Sequence, residues 1–165
     1  MTMIVNLYGG PGTGKSTTMA ALFTEMKRCC ISVEMAPEWV KLPVWAGELH
    51  VLEDQLYIFA KQNHMLRRLA DKVDYVITDA PLLMSLVYSQ EPQLASLVRS
   101  VAHSYRNMHI FLRRVKPYSS RGRVQDESKA RKLDLEIREM LHLENTNFLM
   151  FDGDADAAKN ILPHL

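Results

Sequence analysis

The densest chemical signal lies near the amino end, where Gly9-Gly10-Pro11-Gly12-Thr13-Gly14-Lys15-Ser16 follows an apolar run and precedes a helical pattern. The spacing G-x-x-x-x-G-K-[ST] in that context builds a loop for phosphate. Its glycines let successive N–H groups turn inward as an anion nest, and the following helix adds free donors and a positive dipole end. Gly10, Gly12, Thr13, Gly14, Lys15, Ser16 and Thr17 are therefore expected to hold the phosphates of ATP. In that arrangement Lys15 is a point charge on the β- and γ-phosphates, and the Ser16 hydroxyl is a ligand to Mg²⁺.

A second set of residues could complete the chemistry. Asp79 closes the apolar run Asp74-Tyr75-Val76-Ile77-Thr78-Asp79. A carboxylate there can hold Mg²⁺ with Ser16, or take the proton from an acceptor hydroxyl. Glu34 and Glu38, in Glu34-Met35-Ala36-Pro37-Glu38-Trp39, are alternative bases, and spacing does not choose between them. No acidic residue follows Asp79, since Ala80 stands there, which favours transfer to a hydroxyl or phosphate over steady hydrolysis. From Arg113 to Lys132 the chain carries a local excess of +6, against +1 for the whole. Within it Arg121 and Arg123, among Ser and Gly, have the character of a closing lid over about 113–126 that stabilises charge on a transferring phosphoryl group. Lys129, Arg131 and Lys132 read as the solvent face of the next helix. Trp39 and Trp45 could stack on a base, though packing is the commoner use of such residues. Gln55 and Gln62 share a helix face with Asn63, where amides could read a nucleobase edge, although an exposed polar face is the commoner outcome.

These residues need a scaffold, and the periodicity supplies one. Strands are predicted at Met3–Tyr8, Ile31–Met35, Asp74–Asp79, Met108–Leu112 and Asn147–Phe151. Helices are predicted at about 15–28, 53–71, 93–104, 127–141 and 154–161. The long helix at 53–71 is expected to bury Leu56, Phe59, Ala60, Leu66 and Leu69. Strands alternating with helices describe an α/β fold with a parallel sheet covered on both faces, whose ligands gather at the carboxyl ends of the strands.

Composition bounds the reading. The chain has 165 residues, 47% hydrophobic and 24% charged, a globular balance that excludes disordered and fibrous classes. One domain over 1–165 is expected. A net charge of +1 argues against a protein held on nucleic acid by a global field. No apolar run reaches membrane-spanning length, the start lacks the basic region of a signal peptide, and two adjacent cysteines cannot build a disulfide framework. The expected location is cytoplasmic.

Taken together, the chain resembles the small P-loop kinases and NTPases, many carried by bacteriophages, related to nicotinamide riboside kinase. The resemblance rests on Gly9–Thr17, the glutamates after strand two, the Val-Ile-Thr-Asp ending of strand three, and the lid-like Tyr118-Ser119-Ser120-Arg121-Gly122-Arg123-Val124-Gln125. It implies a three-layer P-loop sandwich with a five-stranded sheet in the order 2-3-1-4-5, an acceptor region after strand two and an arginine lid after strand four. It also implies a glutamate acting on a sugar hydroxyl, an Asp152–Asp156 loop near adenine, and a host-cytoplasm location if the chain is phage-encoded. The activity implied is ATP-dependent transfer of the γ-phosphoryl group to a nucleoside, a nucleotide or a hydroxymethylpyrimidine, free or in DNA. The rival expectation is a P-loop ATPase that works as a nucleotide-switched partner-binding module.

Overall fold

Alternation along the first strand sets the layering. In β1 (Met3–Tyr8), Ile4 and Tyr8 belong to one apolar cluster, while Val5 and Leu7 belong to another on the opposite face of the sheet. A strand buried on both faces in this way belongs to a sheet covered by helices on both sides. The computed structural model, which describes residues 1–115 and 127–165, places β1 at the centre. β2 (Val33–Ala36), β3 (Tyr75–Thr78), β4 (Arg106–Arg113) and β5 (Phe148–Asp152) complete a parallel sheet in the order β2-β3-β1-β4-β5. That is the order expected from the resemblance.

Helix α1 (Lys15–Arg28) covers one face through Met19, Leu22 and Met26, joined there by α7 (Ala157–Ile161). The other face is covered by α3 (Gln55–Arg67), α5 (Pro92–His103) and α6 (Glu127–Leu143). Two short helices, α2 (Lys41–Trp45) and α4 (Ser85–Tyr88), lie in stretches where the sequence predicts no regular element. Each is too short for helical periodicity to register.

Three expectations are corrected. The long helix begins at Gln55, where the Asp54 carboxylate accepts the Tyr57 N–H, and the preceding Leu49–Glu53 is a 3₁₀ turn. Its buried stripe is Phe59, Gln62 and Leu66, whereas Leu56 and Ala60 are exposed. The polar Gln62 took the place in the stripe that apolar counting gave to its neighbours. Strand two runs from Val33 to Ala36, because Cys30 at positive φ turns the chain and Ile31 and Ser32 serve as the approach.

Candidate functional site

The loop between β1 and α1 is built as its residues require. Gly14 adopts φ +95, a region costly for residues with a Cβ, and a Cβ there would lie 2.9 Å from the Gly153 carbonyl. Gly153 is equally constrained. Its N–H donates to the Arg113 carbonyl at 2.9 Å, extending the β4–β5 ladder by one bond. That seats it against the Thr13 carbonyl so tightly that a side chain has no room. The Asp152–Asp156 turn thus serves as a floor for the phosphate loop.

Two more residues hold the loop. The Gly10 N–H donates to Asp134 Oδ1 of α6 at 2.6 Å. Arg114, 4% exposed, donates to both oxygens of Asp134 and, at 2.7 Å, to the Pro11 carbonyl. Neither Arg114 nor Asp134 stands out in the sequence, because the pair acts across twenty residues and nothing local marks it. Lys15 folds over the loop, its Nζ donating to the Gly9 and Gly10 carbonyls at 2.5 and 3.1 Å. Burial lowers its ammonium from the ordinary lysine value, while Glu38 and Asp79 pull the other way.

The carboxyl ends of β1, β2 and β3 bring the remaining candidates together. Asp79, 2% exposed, accepts from the Ser16 hydroxyl, from the Glu38 N–H at 2.9 Å and from Lys41 Nζ at 3.0 Å. Burial alone would raise its carboxyl; the Ser16 hydrogen bond, the Lys41 charge and the Glu38 N–H outweigh that and hold it below the ordinary aspartate value. Lys41 Nζ also donates to Ser16 Oγ at 2.8 Å and lies 3.4 Å from Glu38 Oε2. Burial would lower this ammonium, but Asp79 and then Glu38 raise it above the usual lysine value. Lys41 is absent from the sequence-level candidates. Its position three residues after Glu38 was the available signal.

Ser16, Asp79 and Glu38 thus turn a hydroxyl and two carboxylates toward one cation. The Ser16 hydroxyl and the Asp79 carboxylate are hard oxygen donors, the chemistry that suits Mg²⁺, and they are few enough that an ion held by them would keep waters and phosphate oxygens in its shell. No group of three or more His, Cys, Asp or Glu able to hold a metal occurs among the described residues. Glu34 stands apart: it is paired with Lys27 at 3.2 Å and does not line the cavity described next.

A cavity of about 520 Å³ opens from the phosphate loop. Gly12, Gly14, Lys15, Ser16 and Thr17 form one end with Asp79 and Glu38; Val44, Trp45, Ile58, Phe59, Leu82 and Met84 give the other end an apolar wall. Trp45 borders it while 76% exposed. Trp39 instead packs edge-on against Tyr57, with Lys61 over both rings. Gln62 borders the cavity but is committed to the fold, accepting from the Trp39 N–H and donating toward Ala36 O, Pro37 O and Thr78 Oγ1. Gln55 donates to the Leu52 carbonyl from the cavity rim. Arg121 and Arg123, with the lid expected around them, lie outside the described residues apart from its first positions, 113–115. There Arg113 pairs with Asp152 and Arg114 with Asp134. Arg131 and Lys132 pair with Glu127 and Glu136 along the exposed face of α6.

Comparison with known proteins agrees with this architecture. The crystal structure of shikimate kinase from Aquifex aeolicus vf5 matches with a TM-score of 0.55 at 16% identity, covering 98% of this chain and 95% of that one. At that identity the likeness is one of fold, the P-loop kinase fold. No match is found among curated proteins. No helix among the described residues is long and apolar enough to cross a membrane. The family model described as "AAA domain" matches residues 4–157, nearly the whole chain from β1 into α7, and the protein belongs to that family of P-loop nucleotide-binding domains.

Proposed function

We infer that the protein is an ATP-dependent phosphotransferase whose acceptor is a nucleoside, a nucleotide or a hydroxymethylpyrimidine. The observation that carries this reading is the single cavity in which the phosphate loop, the Asp79–Glu38 pair and an apolar wall face one another. A phosphate loop serving hydrolysis alone has no need of an apolar compartment beside its reactive end. Flat, partly apolar acceptors suit such a wall, and a hydroxyl borne by one of them would meet the carboxylates.

In this reading the loop N–H groups and Lys15 hold the β- and γ-phosphates. Ser16 and Asp79 would hold Mg²⁺, which when bound would supply positive charge against the phosphate oxygens. Glu38 accepts the acceptor's hydroxyl proton as the acceptor oxygen bonds to the γ-phosphorus, while the bond from that phosphorus to the ADP oxygen breaks. Glu38 suits this role better than Glu34 because it borders the cavity. Arg121 and Arg123, which lie outside the described residues, are the arginines proposed to stabilise charge on the transferring phosphoryl group. The chain acts as one domain, 1–165, in the cytoplasm. Kinship with the nicotinamide riboside kinase group and a phage origin would account for an acceptor that includes modified bases, free or in DNA.

The test is transfer of label from γ-labelled ATP to a panel of nucleosides, nucleotides and hydroxymethylated DNA. Acceptor-dependent product that disappears in Lys15→Ala is expected. One observation favours a second reading, a nucleotide-switched binding module. Leu42, Trp45, Leu49 and Leu56 are exposed along α2, the 3₁₀ turn and the start of α3, where a partner could sit. Phosphate release that no acceptor stimulates would support that alternative and defeat the kinase.

A further inference from the structure

Asp79 is almost wholly buried, and a buried carboxylate needs a compensating charge. Among the described residues the ammonium bonded to it is that of Lys41, which also reaches Ser16 Oγ at 2.8 Å and lies 3.4 Å from Glu38 Oε2. Of these, the Ser16 and Asp79 oxygens are the ones that suit a divalent cation. The ammonium and such an ion cannot share them. Mg²⁺ requires ligand oxygens at about 2.0–2.1 Å in near-octahedral order, and the two cations repel at that range. Lys41 is also able to leave. Its side chain is 44% exposed, has four rotatable bonds, and springs from the first residue of a helix of five.

We propose that Lys41 is a tethered stand-in for the metal: it holds Ser16, Asp79 and Glu38 in register in the nucleotide-free protein and yields them when the metal–nucleotide complex arrives. The inference rests on the phosphate-binding reading of the same cavity and adds to it a residue that sets metal dependence. Lys41 has two consequences for binding. It lets the site accept a metal-free nucleotide, because its positive charge offsets the carboxylates beside the phosphates. It also makes the metal compete for its ligands. Removing the ammonium reverses both effects, so metal-free nucleotide binds worse and the metal-bound form no worse.

The measurement is the ADP dissociation constant by calorimetry, in EDTA and in excess MgCl₂, for wild type and Lys41→Met. The ratio of the metal-free to the magnesium value is expected to rise at least tenfold in Lys41→Met. Lys41→Arg, which keeps the charge, is expected to retain the wild-type ratio. Lys41→Gln supplies the neutral side chain if the Met variant does not fold, and the same rise is expected. A ratio unchanged within twofold in the folded neutral variant, with ADP still bound, overturns the role of Lys41 and leaves the phosphotransferase reading intact. Absence of ADP binding by wild type in either buffer overturns both.

Discussion

At the scale of single residues the proposed chemistry rests on Lys15 and Glu38, and each has a distinct expected signature. Lys15 is the ammonium of the phosphate loop, so Lys15→Ala is expected to weaken ADP binding at least ~10-fold, about 1.4 kcal/mol, with or without magnesium. Calorimetry checks this. Glu38 is assigned the acceptor proton, and loss of a general base costs roughly 10²- to 10⁴-fold. Glu38→Gln is therefore expected to lower kcat by about that factor while ADP affinity changes little. Glu34→Gln is expected to stay within about twofold of wild type, because the pair Glu34 makes with Lys27 among the described residues is exposed, and such pairs contribute little. Equal losses in the two variants would remove Glu38 from its place.

The elements position these residues through contacts far apart in the chain. Gly153 lies beneath Thr13 and Gly14 because β5 pairs with β4 and the ladder runs one bond further. Gly153→Ala forces a methyl group against main chain, and overpacking of this kind costs about 1–3 kcal/mol. A lower thermal midpoint together with weaker ADP binding is expected; a fall in stability with unaltered ADP binding would mean that the turn does not support the loop. The phosphate loop, the five strands and their parallel arrangement were legible in the sequence because each depends on local spacing or short apolar runs. Asp79 and Ser16 were legible for the same reason. Arg114, Asp134 and Lys41 were not, since each works through partners that only the tertiary fold brings near. Gln62 misled for a related reason: an amide on a helix face looks available for a ligand until the Trp39 N–H and the Ala36, Pro37 and Thr78 oxygens are seen to occupy it.

Taken whole, the molecule carries its candidate site at the carboxyl ends of the strands and a polar cluster between β1 and β4. Tyr8 Oη and His109 Nδ1 lie 3.0 Å apart on β1 and β4, and Asn6 donates to Asn107 Oδ1 at 3.0 Å nearby. Burial, with a smaller push from His103, lowers the His109 pKa from 6.5 to about 4. Below pH 6.5 the unfolded chain binds a proton that the folded chain refuses. This group's contribution is therefore complete above about pH 6.5 and is lost as the pH falls toward 4, by at most about 3 kcal/mol. Asp79 contributes in the same direction but in a lower window, since its carboxyl lies below the ordinary aspartate value. Chemical denaturation between pH 7 and 4 should show a shallower loss of stability in His109→Gln than in wild type. Parallel curves would mean that the ring is protonated inside the fold. Phosphoryl transfer by this chain requires polyphosphate seated in the loop from Gly9 to Thr17, and calorimetric titration of the folded protein with magnesium ADP measures that directly. One ADP bound per chain, with affinity reduced in Lys15→Ala, is the predicted result; no binding by the folded wild-type chain, or equal binding by Lys15→Ala, would contradict it.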